Sequence, residues 1–123
     1  MIAVVAAGGA LGAVARWGMS LMVTRLAGHG FPWATLSVNV LGSLLMGLLI
    51  GWLARHDAGF TMLRHAAVIG FLGSFTTFST FSLDVVTLFE RGQTAAALGY
   101  AAASLVLAVG GLVAGLALMR AVG

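Results

Sequence analysis

Four long apolar stretches, separated by short polar breaks, make up nearly the whole chain. They cover about residues 2–23, 33–54, 63–89 and 94–119. A helix rises about 1.5 Å per residue, so about 22 residues cross the roughly 30 Å hydrocarbon core of a bilayer. The apolar residues form continuous runs and do not alternate, which favours helices over a barrel. The pattern predicts an all-α membrane protein with four transmembrane helices in a single domain, residues 1–123.

The composition leaves the chain without a polar exterior. Hydrophobic residues make up 61% of its 123 residues and charged residues 7%, whereas about a quarter of the residues of a soluble domain are charged. All six basic residues are Arg, and they are scattered singly without a basic stripe, which favours snorkelling anchors over nucleic-acid binding. The absence of Cys excludes disulfides and thiolate metal sites. The first stretch lacks a basic leader, so we expect a retained helix and not a signal peptide.

The third stretch is unusual because glycine, hydroxyl and aromatic residues crowd its middle. Residues 70–82 read GFLGSFTTFSTFS. Ser and Thr are modest helix formers, so an unwound segment at mid-membrane is one interpretation, and its freed carbonyl groups would then serve as ligands. A continuous helix, whose hydroxyl groups bond back to the preceding turn, is the other. Composition does not decide between them.

Polar side chains recur every four residues on two of the stretches. Thr35, Asn39 and Ser43 are predicted to share one face of the second helix, and Tyr100 and Ser104 repeat the spacing on the fourth. Amide and hydroxyl groups donate hydrogen bonds without carrying charge, which suits a dehydrated small anion. Simple bonding between helices is the more common role of such residues.

Four further residues of the spans are singled out by their chemistry. Phe78 and Phe81 lie three apart, and the positive edges of two inward-facing rings would attract an anion, although packing is the usual role of Phe. Arg16 lies within the first span, either to attract anions into a vestibule or to snorkel. Asp84 is the only acid well inside a span, and a hydroxyl group or Tyr100 is its expected partner.

The basic residues give a weak prediction of orientation. With four spans, Arg55, Arg64 and Arg120 lie on the side of the termini, and Arg25 and Arg91 on the other. Basic residues in short loops set orientation, and this bias is small. A protein that inserts both ways round would have such a distribution, and so would one with a single orientation set by other factors.

Glycine pairs predict close packing of the helices. Three pairs are spaced by four residues, Gly8 with Gly12, Gly47 with Gly51, and Gly111 with Gly115. Small residues at this spacing let helix backbones approach closely in lipid. Pairs on three different helices favour a tightly packed bundle.

These residues form motifs that resemble the Fluc fluoride channels, also called the CrcB family, over nearly the whole chain. The first helix carries Gly9-Ala10-Leu11-Gly12-Ala13 followed by Arg16. The second carries Thr35-Leu36-Ser37-Val38-Asn39 with Gly42-Ser43 and Gly47. The most specific part is Gly70-Phe71-Leu72-Gly73 with Thr76-Thr77-Phe78-Ser79-Thr80-Phe81.

The resemblance implies a passive fluoride channel that protects a microbe from fluoride, located in the cell (inner) membrane. Family members are antiparallel, dual-topology homodimers with two pathways. Asn39, Phe78 and Phe81 would match the pathway's Asn and paired Phe residues, and Ser79 and Thr80 a track of hydroxyl groups that continues from them.

The resemblance also implies a structural sodium ion, which is not transported. The backbone carbonyl groups of Gly73 and Thr76, from both subunits, would hold it at the helix break. Thr35, Ser43, Ser104, Tyr100 and Arg16 complete the expected fluoride pathway. Two positions depart from the family, Asp84 where many members have Glu and Ala108 where some have Ser, which affects the outer part of the track.

Three other classes of protein fit the sequence less well. A small multidrug transporter has four similar helices but needs an embedded carboxylate for proton exchange, and the first span contains no acid. A membrane subunit that only assembles with others would explain the glycine pairs but not the string of hydroxyl and Phe residues. An enzyme fits least, because His29, His56 and His65 lie in or beside loops without a nucleophile–base set. No catalytic residue is predicted.

Overall fold

The chain folds entirely into helices in the computed structural model, which describes residues 1–56 and 60–122. Helix α1 is Ile2–Ala27 and α2 is Trp33–Leu53. The third span consists of two helices, α3 (residues 61–75) and α4 (Phe78–Glu90). The fourth span is α5, Thr94–Val122. Each of the four spans is long and apolar enough to cross a membrane. The predicted all-α architecture with four spanning helices is confirmed.

The helices extend somewhat beyond the apolar stretches. Helix α1 continues past residue 23 through Arg25 and ends at Gly28, which adopts φ 81° and donates its N–H to the Thr24 carbonyl at 2.8 Å. Such a positive φ is open to glycine at no steric cost. Helix α5 likewise continues past residue 119 to Val122. Polar residues near a helix end stay helical because their side chains reach the interface.

The middle nine residues of α3, Arg64–Leu72, form wide π-helical turns. Helices α1 and α3 pack closely, and a Cβ at Gly12 would collide with the Phe71 carbonyl oxygen. The π-helical segment is a feature that the sequence did not predict. Such segments are uncommon and often occur next to functional sites.

The core lies where α2, α4 and α5 meet. Its buried residues include Leu36, Leu88 and Tyr100. Helix α2 packs most extensively on α5, and a Cβ at Gly47 would collide with the Leu112 carbonyl oxygen. Glycine is therefore required for this approach of the two backbones, as the spacing of the glycine pairs predicted.

Large apolar side chains cover the exterior. Ile2 is 89% exposed, Leu26 82% and Phe78 78% in the single chain. In water such a surface would be unstable, whereas lipid or a second subunit covers it without loss. The protein is therefore a multi-pass membrane protein.

Candidate functional site

The third span is interrupted between α3 and α4. Thr76 (φ −81°, ψ 155°) and Thr77 (φ −150°, ψ 122°) are extended. The backbone N–H and the hydroxyl of Thr76 both donate to the Leu72 carbonyl, at 3.1 and 3.0 Å, and end α3. Thr77 is the N-cap of α4, where its Oγ1 accepts a hydrogen bond from the N–H of Thr80 at 3.3 Å. Of the two interpretations that the sequence left open, the structure has the break.

Asn39 on α2 contacts the backbone at this break. Its Nδ2 donates to the Thr77 carbonyl oxygen at 3.0 Å, and its Oδ1 accepts from the Thr77 N–H at 2.8 Å. The side-chain amide therefore pairs with both polar groups of a single peptide residue. The two residues are 38 positions apart in the sequence.

The break deprives several carbonyl groups, those of Gly73 and Thr76 among them, of their usual helical donors. In a continuous helix the N–H of Thr77 would bond the Gly73 carbonyl, but here it donates to Asn39. The N–H of Thr80 would bond the Thr76 carbonyl, but here it donates to the Thr77 hydroxyl. Gly73 is exposed and Thr76 half-buried. The oxygens of Gly73 and Thr76 are thus released from the helix ladder beside an accessible surface.

A groove of about 300 Å³ lies between α2, the break, α4 and α5, and we call it the Asn39 groove. Its lining is Asn39, Ser43, Met46, Thr76, Thr77, Phe78, Phe81, Ser104, Leu105, Ala108 and Val109. None of these side chains ionises near neutral pH. Ser104 is only 7% exposed, and its Oγ has no hydrogen-bond partner among the described residues. The Ser104 hydroxyl is thus a polar group that the single chain leaves without a well-formed hydrogen bond in a neutral, largely apolar groove.

Two aromatic rings line one side of this groove. The ring centroids of Phe78 and Phe81 are 5.6 Å apart at 48°. Phe81 is half-buried and rests on Tyr100, with centroids 5.2 Å apart, whereas Phe78 projects from the surface. The fully buried Tyr100 therefore fixes the position of Phe81, and Phe81 in turn contacts Phe78.

A second cavity, of about 240 Å³, lies on the other side of the break between α1, α2 and α4, and we call it the Arg16 cavity. Its lining is Ala13, Arg16, Trp17, Ser20, Thr35, Val38, Thr77 and Thr80. Arg16 is half-buried within its span. A cation next to neutral hydroxyl groups gives this cavity a positive potential, which attracts anions.

The outer end of α4 borders a polar vestibule of about 230 Å³. Its titratable and charged lining residues are Asp84, Arg91 and His29. The Tyr100 hydroxyl donates to Oδ2 of Asp84 at 3.0 Å, so of the two partners expected for Asp84 the structure has Tyr100. This hydrogen bond holds the Asp84 carboxylate against the helix core.

The predicted polar row on α2 does not face a single cavity. Asn39 and Ser43 line the Asn39 groove, whereas Thr35 lines the Arg16 cavity and the vestibule. With 3.6 residues per turn, side chains spaced by four drift by about 40° per step around the helix, and this drift moves Thr35 past the edge of the groove. Ser79 is exposed on α4 and lines neither cavity, and Tyr100 is fully buried behind Phe81.

Thr77 is the residue of this site that sequence reasoning missed, because the motif that contains it assigns no role to Thr77 itself. It accepts from and donates to Asn39 through its backbone, caps α4 through its hydroxyl, and lines both cavities. A Thr just before an apolar helical run is an N-cap signal, and that signal was available. Its pairing with α2 was not, since it depends on tertiary contact.

The described residues, 1–56 and 60–122, contain no cluster of three His, Asp or Glu side chains that would hold a metal ion. His56 stacks on Trp52 with centroids 4.0 Å apart, and Nδ1 of His65 lies 2.8 Å from the Thr61 carbonyl oxygen.

Comparison with known proteins gives the family of this chain. Residues 3–116 match the family described as "CrcB-like protein, Camphor Resistance (CrcB)". A "Fluoride-specific ion channel FluC" from Rhodospirillum centenum is 53% identical over 98% of this chain and 95% of its own length. Proteins of the same name from Agrobacterium fabrum and Novosphingobium aromaticivorans are each 50% identical, over 97% and 98% of this chain and 95% and 96% of their own lengths. The chain belongs to the CrcB-like family.

Proposed function

We propose that this protein is a channel that lets fluoride cross the membrane passively, with selectivity over chloride. The observation that carries the proposal is the Asn39 groove, where the buried Ser104 hydroxyl lacks a partner and no lining side chain ionises. Neutral donors replace the hydration shell of a small anion without binding it too tightly to leave. The names of the relatives, which are fluoride-specific ion channels, support the same function.

The ring edges of Phe78 and Phe81 would line the anion's path. An aromatic edge carries partial positive charge, so it attracts an anion while its carbon surface excludes water. The pathway would continue toward the hydroxyl groups of Ser79 and Thr80, with Ser43 and Ser104 on the facing helices. Arg16 would raise the local anion concentration from its own cavity.

The functional unit is proposed to be an antiparallel homodimer in the inner membrane of a bacterium. Phe78 is 78% exposed in the single chain, so the Asn39 groove has an open side that a second subunit would cover. A two-fold axis makes both copies of an interface equal, and two grooves would therefore form two pathways. The small difference in Arg count between the two sides is compatible with insertion in both orientations.

A sodium ion at the dimer axis would fit the residues of the break. The Gly73 and Thr76 carbonyl groups have lost their regular helical donors, and two subunits would supply four such oxygens. Oxygen ligands suit a hard cation, and the absence of a nearby acid favours a monovalent one. The ion would offset the mutual repulsion of the carbonyl dipoles, and it would be structural.

The test is efflux from liposomes that contain the purified protein. Fluoride should leave down its gradient when a potassium ionophore balances charge, and chloride should stay inside. The alternative function is that of a proton-coupled transporter. Such a protein would move fluoride only with a proton gradient. Such strict dependence, or equal chloride efflux, would overturn the proposal.

A further inference from the structure

The two hydrogen bonds between Asn39 and Thr77 can form only where the third span is unwound. In an α-helix the N–H and C=O of one residue point in opposite directions along the axis. Thr77 is extended, with φ −150° and ψ 122°, and its N–H and C=O lie on one edge, where one amide reaches both. The pairing therefore favours the broken conformation over a continuous helix.

This pairing uses most of the bonding capacity of the amide. An Asn side chain offers one carbonyl oxygen and two N–H hydrogens, and here the oxygen and one hydrogen are taken. We propose that Asn39 is a positioning residue: it acts on conduction by holding Thr77 extended, in addition to any contact that its remaining N–H hydrogen makes. The expected effect on conduction rests on the proposed function, whereas the stabilisation of the extended Thr77 backbone by Asn39 does not.

Close packing around α2 makes this helix a rigid support for the Asn39 side chain. One turn below Asn39, a Cβ at Gly42 would collide with Cγ2 of Thr76 and lie 3.1 Å from the Phe75 ring. Helix α2 is itself packed closely on α5. The amide is therefore presented from a rigid helix, and its loss would free the start of α4, where Phe78 is located.

Asn39→Asp separates this role from direct contact with the anion. A protonated carboxyl has one accepting oxygen and one O–H, which fit the N–H and C=O of Thr77, but it has no second hydrogen for an ion. An ionised carboxylate only accepts, so it would face the Thr77 carbonyl without a hydrogen between them. A positioning role therefore predicts a variant that protonation restores, and direct contact predicts one that stays impaired.

The surroundings of residue 39 do not obscure this titration. No residue that lines the Asn39 groove is charged. Arg16 faces the break from α1, Asp84 lies farther along α4, and Tyr100 on α5 is bonded to Asp84. The wild-type protein carries the same groups, so the ratio of variant to wild-type current isolates the introduced carboxyl.

Fluoride current across planar bilayers is the readout, because neutral hydrogen fluoride crosses lipid but carries no current. At about pH 7.5 we expect Asn39→Asp and Asn39→Ala to carry about tenfold less current than wild type, or lower still. At about pH 4, near the ordinary pKa of an aspartic acid, the ratio to wild type should rise several-fold for Asn39→Asp and stay low for Asn39→Ala. An Asn39→Asp ratio as low as that of Asn39→Ala at both pH values would overturn the proposal.

Hydrogen exchange tests the hold on the backbone without reference to conduction. In the purified protein, a peptide that covers residues 72–80 should exchange faster in Asn39→Ala than in wild type. Ser43→Ala, which removes a hydroxyl from the same groove one turn away, should leave that exchange unchanged. Unaltered exchange in Asn39→Ala would refute the positioning role. Faster exchange in Asn39→Ala, together with a wild-type protein that conducts no fluoride, would instead refute the proposed function.

Discussion

Replacing each ring of the Asn39 groove by Ile separates anion binding from packing. Phe81 contacts the rings of both Tyr100 and Phe78, and each such pair is worth about 0.5–1.5 kcal/mol beyond burial. Phe81→Ile should therefore destabilise the protein by about 1–3 kcal/mol. Phe78 has only the one ring contact and is 78% exposed, so Phe78→Ile should destabilise the chain by no more than about 1.5 kcal/mol.

Fluoride efflux should not follow this difference in stability. Both variants lose a positive ring edge while they keep an apolar side chain of similar size, so we expect each to reduce efflux by about tenfold or more. Phe89→Ile is the matched control, since Phe89 is an exposed ring on the same helix that lines neither cavity, and it should conduct normally.

The assay is initial efflux from proteoliposomes, compared with the melting temperature of the same preparations. Size-exclusion chromatography establishes which variants are folded before efflux is compared. Normal efflux through folded Phe78→Ile and Phe81→Ile proteins would show that both rings serve only in packing, and it would refute a role of their edges in anion binding.

Four further outcomes follow from individual contacts. Tyr100→Phe leaves the Asp84 carboxylate without its donor, so the melting temperature should fall, and Asp84→Asn in that background should restore part of it; no change in either would deny the hydrogen bond a role. Gly47→Ala should destabilise the bundle by about 1–3 kcal/mol, because the added Cβ would collide with a backbone carbonyl group of α5. Gly99→Ala is the control: a Cβ there meets no atom within 4 Å, so its melting temperature should stay unchanged. Ser104→Ala should reduce fluoride efflux without lowering the melting temperature, because its hydroxyl loses no partner among the described residues; unchanged efflux would exclude it from the pathway. Efflux should also fall in buffer rigorously free of sodium and lithium, and full activity there would argue against the sodium ion.

The four spans were predictable from the sequence because hydrophobic runs long enough to cross a bilayer have few other stable solutions. The close approach at Gly47 was predictable for a similar reason, since the spacing of small residues directly records how near two helices come. The break was not decided by the sequence, because the local preferences of Ser and Thr leave the helix and the extended form nearly balanced. The hydrogen bonds from Asn39 tip that balance, and they depend on a residue 38 positions away.

The sequence indicated only in part which of the candidate residues lie together. Asn39, Ser43, Phe78, Phe81 and Ser104 do meet in one groove. Arg16 and Thr35 line another cavity. Thr35 lies there because side chains spaced by four residues drift around the helix. The position of the break between α1 and α2 also separates the two cavities, and the spacing of residues in the sequence does not predict that position. The π-helical turns of α3 have no sequence signal that we can identify.

The reversal potential of the purified protein in planar bilayers tests the central claim most directly. With fluoride at different concentrations on the two sides and chloride equal, a fluoride-selective channel shifts the reversal potential by about 59 mV per tenfold fluoride gradient, the value for a single charge. The shift should be independent of a pH gradient. A reversal potential that follows chloride, or one that moves with the proton gradient, would contradict passive and selective fluoride conduction.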